Sequence, residues 1–213
     1  MSFDLQPVLK GEKLSLRPLW ADDYDDLFAV ASDPLIWEQH PASTRYTPAV
    51  FKTLFQESMD SGGALIVQDA QSQEVIGSSR YYGYDEGRSE VEIGWTFLAR
   101  SYWGGYYNAE MKRLMLEHAF QFVNNVVFLV GPQNIRSQRA VEKIGGVRGG
   151  SRVDGSGCES ISFKITSDFF RVNGLSQNHS QKDSSNKRGK YAKNIGFSCS
   201  SSKAYSAKDR TRI

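Results

Sequence analysis

Two cysteines in 213 residues, Cys158 and Cys199, are too few for a disulfide framework, and neither sits in a CxxC or Cys/His cluster. The expectation is a protein of the reducing cytoplasm with no metal. Histidine is equally scarce: His40, His118 and His179 are scattered, and His118 falls within a helical pattern with no partner at ligand spacing. No run of about 18 apolar residues occurs, which excludes a helical membrane span. The first twenty residues lack an apolar core and carry Asp4, Lys10, Glu12, Lys13 and Arg17, so no secretory signal is expected. Internal repeats are also missing.

What remains is the composition of an ordinary globular chain: 39% hydrophobic, 12% aromatic and 23% charged. The length suits one domain with a sizeable core. Charge is unevenly spread. Residues 171–213 hold ten Lys/Arg, two Asp/Glu and nine serines, whereas the remainder holds 16 basic and 22 acidic residues. Such a polar, basic segment buries too little apolar surface to offset its ordering entropy, so the sequence predicts a domain over 1–170 and a mostly disordered tail over 171–213. The tail's charge would permit nucleic-acid contact, but no handful of aromatics interleaves its lysines and arginines, and nucleic-acid binding is the lower-ranked alternative.

The domain reads as mixed α/β. Lys13–Leu19 alternates as a first strand. Ala21–Ala31 begins with acidic residues and places Tyr24, Leu27, Phe28 and Ala31 on one helical face, and Asp33-Pro34 ends it. A second helix follows Pro48, with Val50, Phe51, Leu54 and Phe55 as its apolar stripe. Strands are expected at Ala64–Asp69 and Val75–Tyr84 around the turn QSQE, and at Glu90–Leu98. Asn108–Val123 repeats apolar residues at three and four and reads as the longest helix. A buried-type strand at Val126–Val130, a short helix at Ile135–Lys143 and a strand at Ser160–Ile165 after the turn DGSG complete the order.

Chemistry concentrates in Glu92–Lys112, EIGWTFLARSYWGGYYNAEMK, where a strand enters a Gly104-Gly105 loop and then a long helix. Unpaired backbone N–H groups and the positive end of such a helix favour an anion, a pyrophosphate included. The apolar strand that follows leads into NIRSQRAVEKIGG, residues 134–146.

Together these two elements resemble the GNAT superfamily, and within it the branch containing the ribosomal-protein N-terminal acetyltransferases. That branch shows a Q/R-x-x-G-x-G/A loop before a helix, then a strand leading to N-x-x-S-x-R-x-x-E-K-x-G. The second motif matches at Asn134, Ser137, Arg139, Glu142, Lys143 and Gly145, and Asn108, Glu110 and Lys112 match one subgroup. The loop departs from the pattern: Trp103 replaces the Gln/Arg, Tyr106 stands at the first glycine and Asn108 at the second small position. A Cβ at a close-approach position costs room.

The resemblance implies a GNAT fold over roughly residues 10–168: a mostly antiparallel twisted sheet of about six to seven strands, splayed at its centre and flanked by helices. It implies acetyl-CoA as co-substrate. Thr96, Phe97 and Leu98 would offer backbone groups to pantetheine. Trp103, Gly104, Gly105, Tyr106, Tyr107 and Asn108 would wrap the pyrophosphate, while Asn134 and Arg139 contact the cofactor from the following helix. Val141 stands where related enzymes carry a thiolate-protonating tyrosine, leaving Ser137 as candidate donor or as an ordinary first-turn serine. Glu92 matches the position of a frequent general base; Glu90, on the same strand face by period-two geometry, competes. The expected function is transfer of acetyl to an amine, either a protein N-terminus or a small molecule, by direct attack on the thioester. The rival is a non-catalytic acyl-CoA-binding module.

Overall fold

Along the chain, short alternating strands and amphipathic helices give the order β1 (Leu9–Lys10), β2 (Leu14–Pro18), a 3-10 turn (Ala21–Asp23), α1 (Tyr24–Ala31), α2 (Pro34–Trp37), α3 (Pro48–Asp60), β3 (Ala64–Asp69), β4 (Val75–Asp85), β5 (Glu90–Leu98), α4 (Tyr106–Ala119), β6 (Asn125–Val130), α5 (Ile135–Lys143), β7 (Val147–Val153) and β8 (Glu159–Thr166). The structure, a computed structural model, describes residues 3–153 and 157–172, all within one unit, Met1–Asn173. A helical turn at 167–172 runs two residues into the span expected as tail. The rest of that tail and Asp154–Ser156 of the DGSG turn lie outside the described residues.

The eight strands form one sheet in the order β1-β2-β3-β4-β5-β6-β8-β7. Every neighbouring pair is antiparallel except β5–β6, which is parallel. The parallel step requires a crossover, supplied by the loop and α4. The eight strands exceed the six to seven expected by one or two, and β1 and β7 are the ones without a sequence signal. β1 is only two residues long, and β7, VRGGSRV, is exposed at every position, so it carries none of the apolar alternation that marks a strand.

Two apolar layers sandwich the sheet. On one face Leu14, Leu16, Leu65, Val67, Tyr81, Val91 and Ile93 pack with Met111, Met115 and Ala119 of α4. On the other, Leu19, Ala64, Ile66 and Phe97 pack with Leu27 and Ala31 of α1 and with Phe51, Leu54 and Phe55 of α3. Val50, expected in the α3 stripe, is 37% exposed, and Phe51, Leu54 and Phe55 form the buried face. Tyr81 ties the sheet to α4 through its hydroxyl, which donates to the Met115 carbonyl at 2.7 Å.

Asp33-Pro34 does more than end α1. Asp33 accepts from the Leu35 N–H at 3.0 Å and Pro34 opens α2, so the pair starts a new helix. Helix α4 begins two residues before the sequence pattern suggests, because Gly105 is its extended N-cap and Tyr106 points outward, leaving no apolar mark on the first turn. The helix is anchored at both flanks. Glu110 accepts from the backbone N–H groups of Glu12 and Lys13, both at 2.8 Å, and the Tyr107 hydroxyl donates to Asp69 at 2.8 Å.

Candidate active site

Strands β5 and β6 pair only at Glu90–Asn125, Val91–Val126 and Glu92–Val127. Past Glu92 they part, and a cleft of about 660 Å³ opens between them. Its walls are Gly94–Leu98 of β5, Phe128–Val130 of β6, the Trp103–Gly105 loop, the inner face of α4 at Asn108 and Lys112, and α5 with its N-terminal Asn134. His40 and Arg45, from the segment between α2 and α3, complete it.

The parting has a local cause. Ser78 pairs with Phe97 but Arg80 pairs with Gly94, so Trp95 and Thr96 together stand opposite Ser79 as a bulge. Trp95 adopts φ 49°, a left-handed conformation that strains a bulky residue. Its ring holds that place by covering the Arg80 guanidinium at 4.3 Å and meeting Tyr82 edge-on at 5.1 Å. Behind the bulge, Ser79 and Thr96 hydroxyls lie 2.7 Å apart. Lys112 Nζ donates to both, at 3.2 Å to Ser79. Lys112 is buried, faces the Phe128 ring at 5.5 Å, and burial pushes its amine down to about 7.

Glu92 lies on the opposite sheet face from Lys112, its carboxyl beside Gly94: a Cβ on Gly94 would sit 3.0 Å from Oε1. Burial pushes this carboxyl up to about 7, against the downward pull of Arg152 and Arg80. Glu90 is differently placed. It is 8% exposed and pairs with Arg152 at 3.2 Å and Lys164 at 3.0 Å. Burial raises its pKa, but these two partners outweigh burial and hold it below the ordinary carboxylate range.

Asn134 caps α5, its Oδ1 accepting from the Ser137 N–H at 3.2 Å. Ser137, Arg139 and Val141 all line the cleft, Val141 from a buried position that also belongs to the core. Trp103 fills the base of the loop, where its indole N–H donates to the Leu98 carbonyl at 2.9 Å and its ring carries the Arg136 guanidinium at 4.0 Å. Gly104 adopts φ 71°, and a Cβ on Gly104 or Gly105 would meet nothing within 4 Å, so the start of α4 faces open space.

Of the residues singled out from sequence, the cleft thus gathers Thr96, Phe97, Leu98, Trp103, Gly104, Gly105, Asn108, Asn134, Ser137 and Arg139. The side chains of Tyr106 and Tyr107 turn elsewhere, the first 79% exposed and the second toward Asp69. Glu92 flanks the cleft through Gly94. Sequence reasoning placed Lys112 in the Glu92–Lys112 stretch but missed it as a buried amine, and it missed Arg80 under Trp95 and the His40–Arg45 pair, neither of which lies in a chemically distinctive run.

Residues 13–147 match the family model described as an acetyltransferase (GNAT) domain. No curated protein matches the sequence. Among solved structures, a GCN5-related N-acetyltransferase from Brucella melitensis is 21% identical with a TM-score of 0.66, covering 78% of this chain and 81% of its own. A GNAT-family acetyltransferase from Bacillus anthracis is 20% identical with a TM-score of 0.62, covering 75% and 98%. Mycobacterium smegmatis RimJ, solved in complex with CoA-disulfide, is 16% identical with a TM-score of 0.59, covering 76% and 87%. At these identities the likeness is one of fold, and it agrees with the family model. The chain belongs to the GNAT acetyltransferase family.

Proposed function

We propose that this chain is an acetyl-CoA-dependent N-acetyltransferase acting by direct transfer to an amine, with no covalent enzyme intermediate. The observation that carries the reading is the parting of β5 from β6 beside the open Gly104-Gly105 entry to α4, with the largely buried Glu92 carboxyl beside Gly94. The slot offers unpaired strand edges to an amide-bearing arm, and the first N–H groups of α4, at Tyr106, Tyr107 and Asn108, offer donors to a pyrophosphate. Tyr106 places its bulk outside, which leaves the loop's backbone approachable despite the missing glycine.

The thioester supplies an already activated acetyl group, so the protein's part is to orient and to manage protons. Asn134 and Arg139 are assigned to hold the cofactor, together with the backbone of Thr96, Phe97 and Leu98. Glu92 is assigned as the base that takes the amine's proton: half ionised near pH 7, it is matched to that task. Ser137 is assigned to hand a proton to the departing sulfur. Glu90 is tied up by two cations and is the weaker candidate for base.

The test is release of free thiol from acetyl-CoA with a panel of N-terminal peptides and small amines. Amine-dependent release with an acetylated amine product supports transfer. Tight acetyl-CoA binding without release from any amine would leave an acyl-CoA-binding module instead.

A further inference from the structure

His40 and Arg45 stand beside the site without a part in the roles above. Trp37, 3% exposed and pinned by its indole N–H to the Ala31 carbonyl at 2.8 Å, supports both. Its ring meets His40 edge-on at 5.7 Å and faces Arg45 at 5.6 Å. The Ala42 backbone N–H points to His40 Nδ1 at 2.9 Å. A backbone amide only donates, so Nδ1 accepts and the proton of the neutral ring is on Nε2. Burial, aided by the Arg45 charge, pushes this imidazole down to about 4 and keeps it neutral at physiological pH. Arg45 Nη1 lies 3.1 Å from Nε2, and a guanidinium also only donates. Two N–H donors therefore face each other with no acceptor between them.

Arg45 has no ion pair among the described residues. Burial pushes its guanidinium down to about 10; Glu57 counters that, and Arg80 adds a like charge. Arg80 is itself 3% exposed, and its Nε has no partner. A partly buried cation facing a second donor is costly unless an anion meets it, and one oxygen can accept from both groups in charge-assisted bonds.

We propose that His40 and Arg45 form an oxyanion-binding subsite of the cleft, and that the acceptor is an amine carrying a carboxylate which this pair receives. The assignment to the acceptor rests on the acetyl-transfer reading above. The charge of Arg80 acts on both Arg45 and Glu92, so the subsite and the carboxyl assigned to the amine's proton lie within electrostatic reach of one cation. An amine with its carboxylate a few bonds away, as in a free amino acid, would engage both.

The experiment compares glycine, β-alanine and γ-aminobutyrate with their carboxamides as acceptors for the full chain, on the basis of neutral-amine concentration. Binding is measured in parallel as melting shifts with CoA in place of acetyl-CoA. At least one acid is expected to exceed its amide about tenfold or more in kcat/KM, and to raise the melting temperature where the amide does not. Arg45→Gln should bring the acid-to-amide ratio near one, and Arg45→Lys, which keeps charge but loses the planar fork, should fall between. Equal use of acids and amides by the wild type overturns the subsite while leaving acetyl transfer standing. Binding of acids without turnover of any amine overturns transfer but upholds the subsite; neither binding nor turnover overturns both. If Arg45→Gln weakens CoA but not dephospho-CoA, the oxyanion is the cofactor's phosphate and the proposal falls.

Discussion

Replacing Glu92 with Gln separates its cost to the fold from its use in chemistry. The side chain is largely buried, and desolvation raises its pKa from an ordinary 4.5 to about 7. A shift of that size corresponds to on the order of 3 kcal/mol between the two protonation states. The sign follows from where the proton goes. Below pH 4.5 the carboxyl is protonated in folded and unfolded chains alike, and wild type and variant should be equally stable. Between 4.5 and about 7 the unfolded chain ionises first, so the folded wild type loses ground as pH rises. Above 7 the whole deficit is present and Glu92→Gln should be the more stable protein. At roughly 2–4 °C per kcal/mol for a chain of this size, thermal melts at pH 8 should favour the variant by about 6–12 °C, and melts at pH 4 by almost nothing. Activity should move the other way. If Glu92 is the base, kcat should fall about 10²–10⁴-fold at pH 7, shrink less severely at high pH where more amine is already neutral, and leave acetyl-CoA affinity nearly intact. A variant with wild-type activity at pH 7 and a pH-independent stability difference would refute both halves of the reasoning.

Other substitutions separate the remaining roles. Asn134→Ala removes the α5 cap and the proposed cofactor contact, so denaturant melts should show a loss of about 0.5–2 kcal/mol and titration should show weaker acetyl-CoA binding. Ser137→Ala should lower kcat about tenfold with the cofactor dissociation constant unchanged, since water can replace a hydroxyl donor to a fair leaving group. For Lys112→Met, the wild-type amine has its pKa depressed by burial from 10.5 to about 7, so its penalty is absent above 10.5 and complete by pH 7. The variant's stability relative to wild type should therefore be greatest at pH 7 and decline as pH rises toward 10, and a constant difference would count against a buried amine there.

The elements with strong periodicity were legible from the residues: β3, β5 and α5 coincide with the expected spans because each buries a regular apolar face or carries its own cap. What was not legible depends on contacts distant in sequence. β7 is a strand because β8 supplies its ladder, not because of its own exposed VRGGSRV. Lys112 reads locally as a charged helix residue, and only packing against Thr96 and Ser79 makes it a buried amine. The split between Glu90 and Glu92 is likewise invisible in a period-two pattern. Arg152 and Lys164 arrive from strands more than sixty residues away to claim the first, and leave the second in a dry position.

The central claim is that the gap between β5 and β6 receives acetyl-CoA, and thermal unfolding of the full chain with and without that ligand tests it most directly. Ligand at about 100 times its dissociation constant should add about 2.7 kcal/mol, which at roughly 2–4 °C per kcal/mol is a rise of about 5–11 °C. An unchanged melting temperature at millimolar acetyl-CoA would contradict it.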